Sequence, residues 1–545
     1  MDRKFSHAAK PNKTGFPKVV ASSAAAATNS LFPASAVVVR LGKWSITVRW
    51  AETITLLLIT VLAGVLLLKN LGDQCLWQDE AETACIAKTV LTNGFPHGGD
   101  GRNCFSQDLE RDRLSPRHAW LSFYLAAGFF SVFGATALAA RLPFALAGLA
   151  CVPLCYYVAR WLWQSRRAAA LSAIVLATSV PFLILSRQCR YYSLTTLFSL
   201  LALLAYGHIV QRKRWAVPLF VVALVLLFHS NFVSWAVLLA TVGIHVVIFH
   251  RDRFWALTLG ATCSFLLNLP FLIWLVHFYA ATPLAKDTEG ATSVAVFAAT
   301  AWDYVVRATP YLFPWPLLIV LIVIAVVILI RNQVRSRVNM AAWREPCLLL
   351  LYIVVDVAVF SLLYKFYFFR YLAPAIPLAA MLAGRILESA MRFNPVVGVV
   401  GLAAVLFFSP VQDYCYEITH HYRGPTEGIV EFLETHAKPD DVVVISYGDL
   451  PLKFYTNLRV VGGLTGEDMT PALKARWVIE RKFTLCPKDA AVQQYLNSHL
   501  RVEDFRPHSI DYPDIPYDNR ECPEEHRYRT VLGAPPITIW EKIAK

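Results

Sequence analysis

Along the 545-residue chain, apolar residues gather into blocks, mostly of about 17–22 positions, the length needed to cross a hydrocarbon core roughly 30 Å thick. The blocks fall at 50–68, 142–161, 168–186, 193–211, 215–228, 232–249, 254–276, 311–330, 347–364, 371–387 and 395–408. The turns at 164–167, 211–214, 250–253, 331–344 and 385–392 are rich in Lys and Arg, and placing all of them in the cytoplasm makes the blocks between them alternate in direction. A further apolar stretch, 118–134, would add a third crossing before the 164–167 turn and break that alternation. It is therefore expected to lie in or dip into the outer interface. The pattern predicts an all-α polytopic membrane domain of eleven spans over residues 50–411, with a large first external loop at 69–141.

Beyond position 411 the pattern turns soluble. Residues 427–436 have the spacing of an amphipathic helix, and 441–446 (DVVVIS), 476–480 (RWVIE) and 537–540 read as short strands. Residues 412–545 are therefore expected to form a small α/β domain on the extracytoplasmic side. Residues 1–49 are basic and Ala/Ser-rich around 21–28, without the short apolar core and cleavage site of a signal peptide. They are expected to be a retained cytoplasmic tail.

Composition narrows the class. Hydrophobic residues make up 56% and charged residues 16%, against about 45–50% and roughly 25% in soluble domains. A disordered chain and a wholly soluble enzyme are both excluded. The net charge of +13 sits mostly in the short turns between blocks, where it sets orientation rather than lining a groove for nucleic acid. Of eleven Cys, Cys75, Cys85 and Cys104 lie in the first external loop and Cys486 and Cys522 in the C-terminal domain. Facing an oxidising compartment, Cys486–Cys522 and one pair in the first loop are expected disulfides. No Cys/His spacing suggests zinc, so no metal or other cofactor is expected, and nothing indicates a divalent cation.

Three stretches carry candidate chemistry. The first is Trp77-Gln78-Asp79-Glu80, followed by Glu82, just outside the first span. Adjacent carboxylates there could deprotonate an acceptor arriving from water; solvated charges at a loop start are the bland alternative. The second is the 186–192 turn, which puts Arg187 and Arg190 on the outer face beside Tyr191 and Tyr192. Guanidinium forks match phosphate oxygens, although interfacial anchoring explains such a turn equally well. The third is 367–377, where Arg370 and Tyr371 are bracketed by aromatic residues and Pro374 and Pro377 break the apolar block, as happens where a span lines a cavity. Arg141, at the outer start of the second block, adds another cation. Asp356, midway along 347–364, is either functional or hydrogen-bonded to a neighbouring helix. His229 and His245 read as satisfied core histidines.

In their order these elements resemble the GT-C membrane glycosyltransferases, in the branch of the protein O-mannosyltransferases and the aminoarabinose transferase that modifies lipid A. The resemblance rests on Asp79-Glu80, Phe133-Gly134 followed by Arg141-Leu142-Pro143, the Ser-Arg…Arg-Tyr turn at 186–192 and the Arg-Tyr-Leu…Pro…Pro element at 370–377. It departs from the O-mannosyltransferases at Tyr191-Tyr192, where they carry Asp, and at Pro116-Arg117-His118-Ala119, where they carry His-Pro-Pro.

The resemblance implies a polyprenyl-phosphate sugar donor, no nucleotide, and an extracytoplasmic acceptor (lipid, glycan or protein) at a membrane that would be the bacterial inner membrane. Phosphate is a good leaving group, so a second carboxyl acting as acid is not required, unlike glycoside hydrolysis. Asp79 is then the expected base of an inverting displacement, with Glu80 positioning acceptor or sugar. Arg187, Arg190, Arg370 and Arg141 are the expected phosphate ligands, and Tyr191, Tyr192 and Tyr371 the expected donor or sugar contacts. A polytopic secondary transporter or lipid flippase is the rival class. It should show repeats and midplane binding groups, and apart from Asp356 the chain shows neither. A scaffold whose C-terminal domain binds a partner through 512–526 is a third reading.

Overall fold

The computed structural model describes residues 36–41, 44–106, 119–281, 293–335, 344–462, 467–482, 487–515, 524 and 526–543. Contacts divide the chain after Ile54. In the first unit, within the stretch expected only as a basic tail, β1 (Ala36–Leu41) and β2 (Trp44–Arg49) pair as an antiparallel hairpin.

The second unit, Thr55–Lys545, contains the helical domain and the C-terminal domain. The helices are α1 (Trp50–Leu68), α2 (Gln78–Asn93), α3 (Leu121–Phe133), α4 (Ala137–Trp163), α5 (Arg166–Ala177), α6 (Val180–Ser186), α7 (Tyr192–Val210), α8 (Ala216–Phe228), α9 (Phe232–Phe249), α10 (Phe254–Ala281), α11 (Val294–Leu312), α12 (Trp315–Arg335), α13 (Cys347–Leu363), α14 (Ala375–Phe393), α15 (Pro395–Phe408) and α16 (Val411–Glu417). Every predicted apolar block is helical. Length and apolarity alone mark five helices as spans, or eight when three bent pairs each count as one. The chain is an integral multi-pass membrane protein.

The breaks have local causes. α5 and α6 meet at 61°; Pro181, at the start of α6, has no N–H to continue the ladder. α11, which hydropathy alone did not reveal, meets α12 at 94° across Pro314. α14 packs on α5 so closely that a Cβ at Gly384 would lie 2.5 Å from the Ser172 backbone nitrogen, the small-residue contact by which membrane helices approach. α3 has only 13 residues, about 20 Å of helix, the same length as α8.

The C-terminal domain adds α17 (Pro425–His436), β3 (Val442–Ile445), α18 (Asp449–Tyr455), β4 (Arg459–Val461), β5 (Trp477–Ile479), α19 (Pro487–His499), β6 (Phe505–Pro513) and β7 (Pro536–Lys542). Its sheet runs β4-β3-β5-β7-β6, with β4, β3 and β5 parallel and β7 and β6 antiparallel. Alternation sends Val443 and Ile445 into one core layer with Leu433 and Trp477, and Val444 into the other with Val492 and Leu496.

Candidate active site

α2 is held in a three-way apolar junction. Ala84, Cys85 and Ile86 pack with Phe123 and Phe130 of α3, Phe144 of α4, and Leu450 and Phe454 of α18. This burial fixes the helix and leaves its first turn, with Asp79 and Glu80, at the end where the unpaired N–H groups favour negative charge. Successive helix residues leave the axis about 100° apart, so Gln78, Asp79 and Glu80 point to three different neighbourhoods.

Glu80 points inward and is fully buried. Arg141 grips it with a two-pronged pair, Nε to Oε1 at 2.8 Å and Nη2 to Oε2 at 2.6 Å. The backbone N–H of Cys189 donates to the same Oε1 at 2.7 Å. The remaining guanidinium hydrogens of Arg141 go to the carbonyls of Leu71, Gln74 and Cys75. One buried ion pair therefore ties the first loop, α4 and the 186–192 turn together. Arg187, also buried, donates to the carbonyls of Leu66, Leu67, Lys69 and Asn70 and so closes the C-terminal end of α1. Glu80, Arg141 and Arg187 are thus bonded to the protein itself, while Arg187 Nε, also buried, has no acceptor among the described residues.

Asp79 is different. Its side chain is 26% exposed, and Oδ2 takes Arg370 Nη1 at 3.1 Å and lies 3.6 Å from Arg190 Nη2. Arg190 also donates to the Asp79 carbonyl, to Glu82 Oε2 at 3.2 Å and to Thr83 Oγ1 at 3.0 Å. Aromatic rings surround the group: Arg370 lies over Phe368, 4.3 Å from the centroid, and faces Trp77. Tyr371 stacks on Phe360 and Tyr364, and Tyr191 and Tyr192 meet edge to face. Among the described residues, the buried donors Trp77 Nε1 and Arg190 Nε have no acceptor. Asp79, Arg190 and Arg370 thus come together with all three tyrosines nearby, and Glu82 and Thr83 join them. The spacing Asp79–Glu82 (i, i+3) was the available signal for Glu82. The long-range partners of Gln78 left no sequence signal.

Two expectations need correction. Cys75, Cys85 and Cys104 are not joined in a disulfide; Cys85 is enclosed in the α2 junction and Cys104 donates to the Ser106 carbonyl. Cys486 and Cys522 lie outside the described residues. The carboxyl oxygens of Asp356, for which a bond to a neighbouring helix was one expectation, have no hydrogen-bond partner among the described residues.

Residues 117–274, less than a third of the chain, match the model of the dolichyl-phosphate-mannose-protein mannosyltransferase family. No curated protein matches the chain significantly by sequence. Among solved structures, ArnT from Cupriavidus metallidurans in the apo state superposes with a TM-score of 0.55 at 14% identity, over 90% of this chain and 98% of that one. The same protein bound to undecaprenyl phosphate gives 0.54 at 13% identity over the same shares. The oligosaccharyltransferase AglB from Archaeoglobus fulgidus, in complex with an inhibitory peptide and a dolichol-phosphate, gives 0.49 at 10% identity, over 79% of this chain and 69% of that one. The chain has the fold of the GT-C membrane glycosyltransferases and, in its 117–274 segment, the sequence pattern of their mannosyltransferase branch.

Proposed function

We propose that this protein transfers a sugar from a polyprenyl-phosphate donor to an acceptor on the extracytoplasmic face, by direct inverting displacement with Asp79 as base. The observation that carries the reading is the shared carboxylate: Asp79, partly open, is held between Arg190 and Arg370, from two distant loops. A donor phosphate offers those guanidinium groups a better-matched anion. As they turn to it, the lone pairs of Asp79 become free to take a proton. The acceptor O–H gives its proton to Asp79 while its oxygen bonds to the anomeric carbon. The carbon–oxygen bond to phosphate breaks, its electron pair stays on phosphate, and polyprenyl phosphate leaves. Arg190 and Arg370 stabilise that developing charge, and the acceptor-free donors Trp77 Nε1 and Arg190 Nε lie beside it. Tyr191, Tyr192 and Tyr371 supply the rings against which sugar or isoprenoid packs.

In this reading Glu80, Arg141 and Arg187 build the site rather than touch substrate. Residues 50–411 form the transferase domain of eleven spans, residues 1–49 are cytoplasmic, and 412–545 form the outer domain. No metal or other cofactor is needed for the displacement as written.

The test is to incubate purified protein with a series of radiolabelled polyprenyl-phosphate sugars and an extract of envelope acceptors. Release of polyprenyl phosphate with label passing to an acceptor is expected. Uptake of the labelled lipid into sealed vesicles with the sugar still attached would overturn the reading in favour of a flippase.

A further inference from the structure

The short segment 74–78, from which α2 starts, is bonded almost residue by residue to the C-terminal part of the chain. Gln74 Nε2 donates to Glu417 Oε1 at 3.0 Å, the Cys75 N–H to Glu427 Oε1 at 2.9 Å, and the Leu76 N–H to Tyr455 Oη at 2.9 Å. Gln78 makes a paired contact: Nε2 donates to Asp449 Oδ1 at 2.7 Å, and Oε1 accepts from the Leu450 N–H at 3.3 Å.

Asp449 lies beyond the carboxyl end of β3, which β4 and β5 flank on opposite sides. In α/β sheets such a place opens to ligand; here Asp449 is spent on the first loop. Its second oxygen accepts from Lys453 Nζ at 2.6 Å, and Lys453 donates further to the Cys104 carbonyl at 2.9 Å and to Glu467 at 3.3 Å. Burial pulls the Lys453 ammonium down, but Asp449 and Glu467 outweigh it and hold it charged. A Cβ at Gly462 would lie 2.2 Å from the Asp449 side chain, so only glycine lets the end of β4 approach. Gln78, Asp449 and Lys453 are all buried. Such a network is costly unless every member is satisfied, and once satisfied it holds one arrangement rigidly.

We propose that Asp449 is a positioning residue for Asp79: through the Gln78 amide it fixes the rotation of the first turn of α2, so that the carboxylate one residue on stays between Arg190 and Arg370. The Arg141–Glu80 pair holds the other side of the same turn. This rests on the function proposed above, and it gives the outer domain a part in the chemistry.

The experiment compares full-length wild type with Gln78→Met and Asp449→Asn, using the radiolabelled polyprenyl-phosphate sugar that wild type consumes. Donor-competent sites are counted by binding of radiolabelled polyprenyl phosphate. The expected result is binding affinity and donor KM within about twofold of wild type, with kcat per binding site down roughly 10- to 100-fold, as small misplacements of a reacting group produce. Fewer binding sites with unchanged kcat per site in both variants would show a purely structural role and overturn the proposal. If Asp449→Asn does not fold, Gln78→Met alone decides, since it removes one amide and no charge. Wild type that consumes no donor would sink the transferase reading and this proposal with it; active wild type with unaffected variants sinks only this one.

Discussion

Arg370 and Asp79 lie 291 positions apart in sequence and meet at 3.1 Å, Nη1 to Oδ2. Neither residue can take this place alone. Asp79 is presented by the first turn of α2, and Arg370 by a single 3-10 turn, Phe369–Leu372, between α13 and α14. Arg190 completes the group from the turn between α6 and α7. Three separate connections converge on one carboxylate, which explains why each motif was weak by itself and why their order along the chain carried the information.

Substitution at this junction should separate binding from chemistry. Asp79→Asn is expected to abolish sugar transfer while leaving polyprenyl-phosphate binding near wild type, because the amide keeps the size and cannot take a proton. Arg370→Lys keeps the charge but loses the fork; kcat/KM is expected to fall roughly 100- to 1,000-fold, the usual effect of removing one transition-state donor. Steady-state release of polyprenyl phosphate measures both. Full activity of Asp79→Asn would remove the assigned base.

The Arg141–Glu80 pair answers to a different assay. Both side chains are fully buried, and removing one partner strands the other charge in an apolar surround, a cost of about 3–5 kcal/mol. Arg141→Ala is expected to lower the thermal midpoint sharply and the yield of folded protein with it. Arg141→Lys should recover little, since one ammonium cannot serve two carboxylate oxygens and three carbonyls. A midpoint within a degree or two of wild type would show that the pair is not structural.

Much of this was legible in advance, and the gaps have physical causes. Hydropathy located the helical blocks, and the short apolar runs within 441–446 and 476–480 located β3 and β5, because a strand buried on both faces reads as a continuous apolar run. The acidic and arginine motifs marked the right neighbourhood. What composition could not do was sort the arginines. Arg187 and Arg190 are three residues apart in the same turn, yet one is spent on the carbonyls ending α1 and the other reaches Asp79. That difference is set by which way each side chain leaves the turn. The bend between α11 and α12 was hidden for a different reason: Asp303 and Arg307 interrupt the apolar residues of α11, so its sequence shows no continuous block. The Gln78–Asp449 contact joins positions 371 apart and follows no local rule.

The cysteines of the first loop give a direct chemical check. Burial pushes the Cys85 thiol up to about 12, so near pH 8 its reactive thiolate fraction is on the order of 1 in 10,000. Native protein is expected to leave Cys85 unmodified by maleimide for hours. Denaturation without reductant should expose it, with Cys75 and Cys104, to rapid labelling, read by mass spectrometry of the peptides. Labelling that appears only after reductant is added would show a disulfide in the first loop.

Asp356 tests whether an orphaned carboxyl is tolerated for function. It lies in α13, fully buried, with both oxygens unpartnered among the described residues. Leaving a buried polar group unsatisfied costs about 1–3 kcal/mol, and an ionisable group inside a membrane helix is costly to insert. Tyr352 lies one turn before it on the same helix and bonds instead toward Ser199, its hydroxyl 3.5 Å from Oγ. Asp356→Leu, close in volume and free of polar atoms, is therefore expected to raise the thermal midpoint of the purified protein. Two measurements on that variant decide what the cost was for. A higher midpoint with unchanged sugar transfer would mark Asp356 as a tolerated defect, whereas a higher midpoint with transfer lost would show stability given up for activity. A lower midpoint would mean that the carboxyl is satisfied in the working protein, and the unpaired state described above would be wrong.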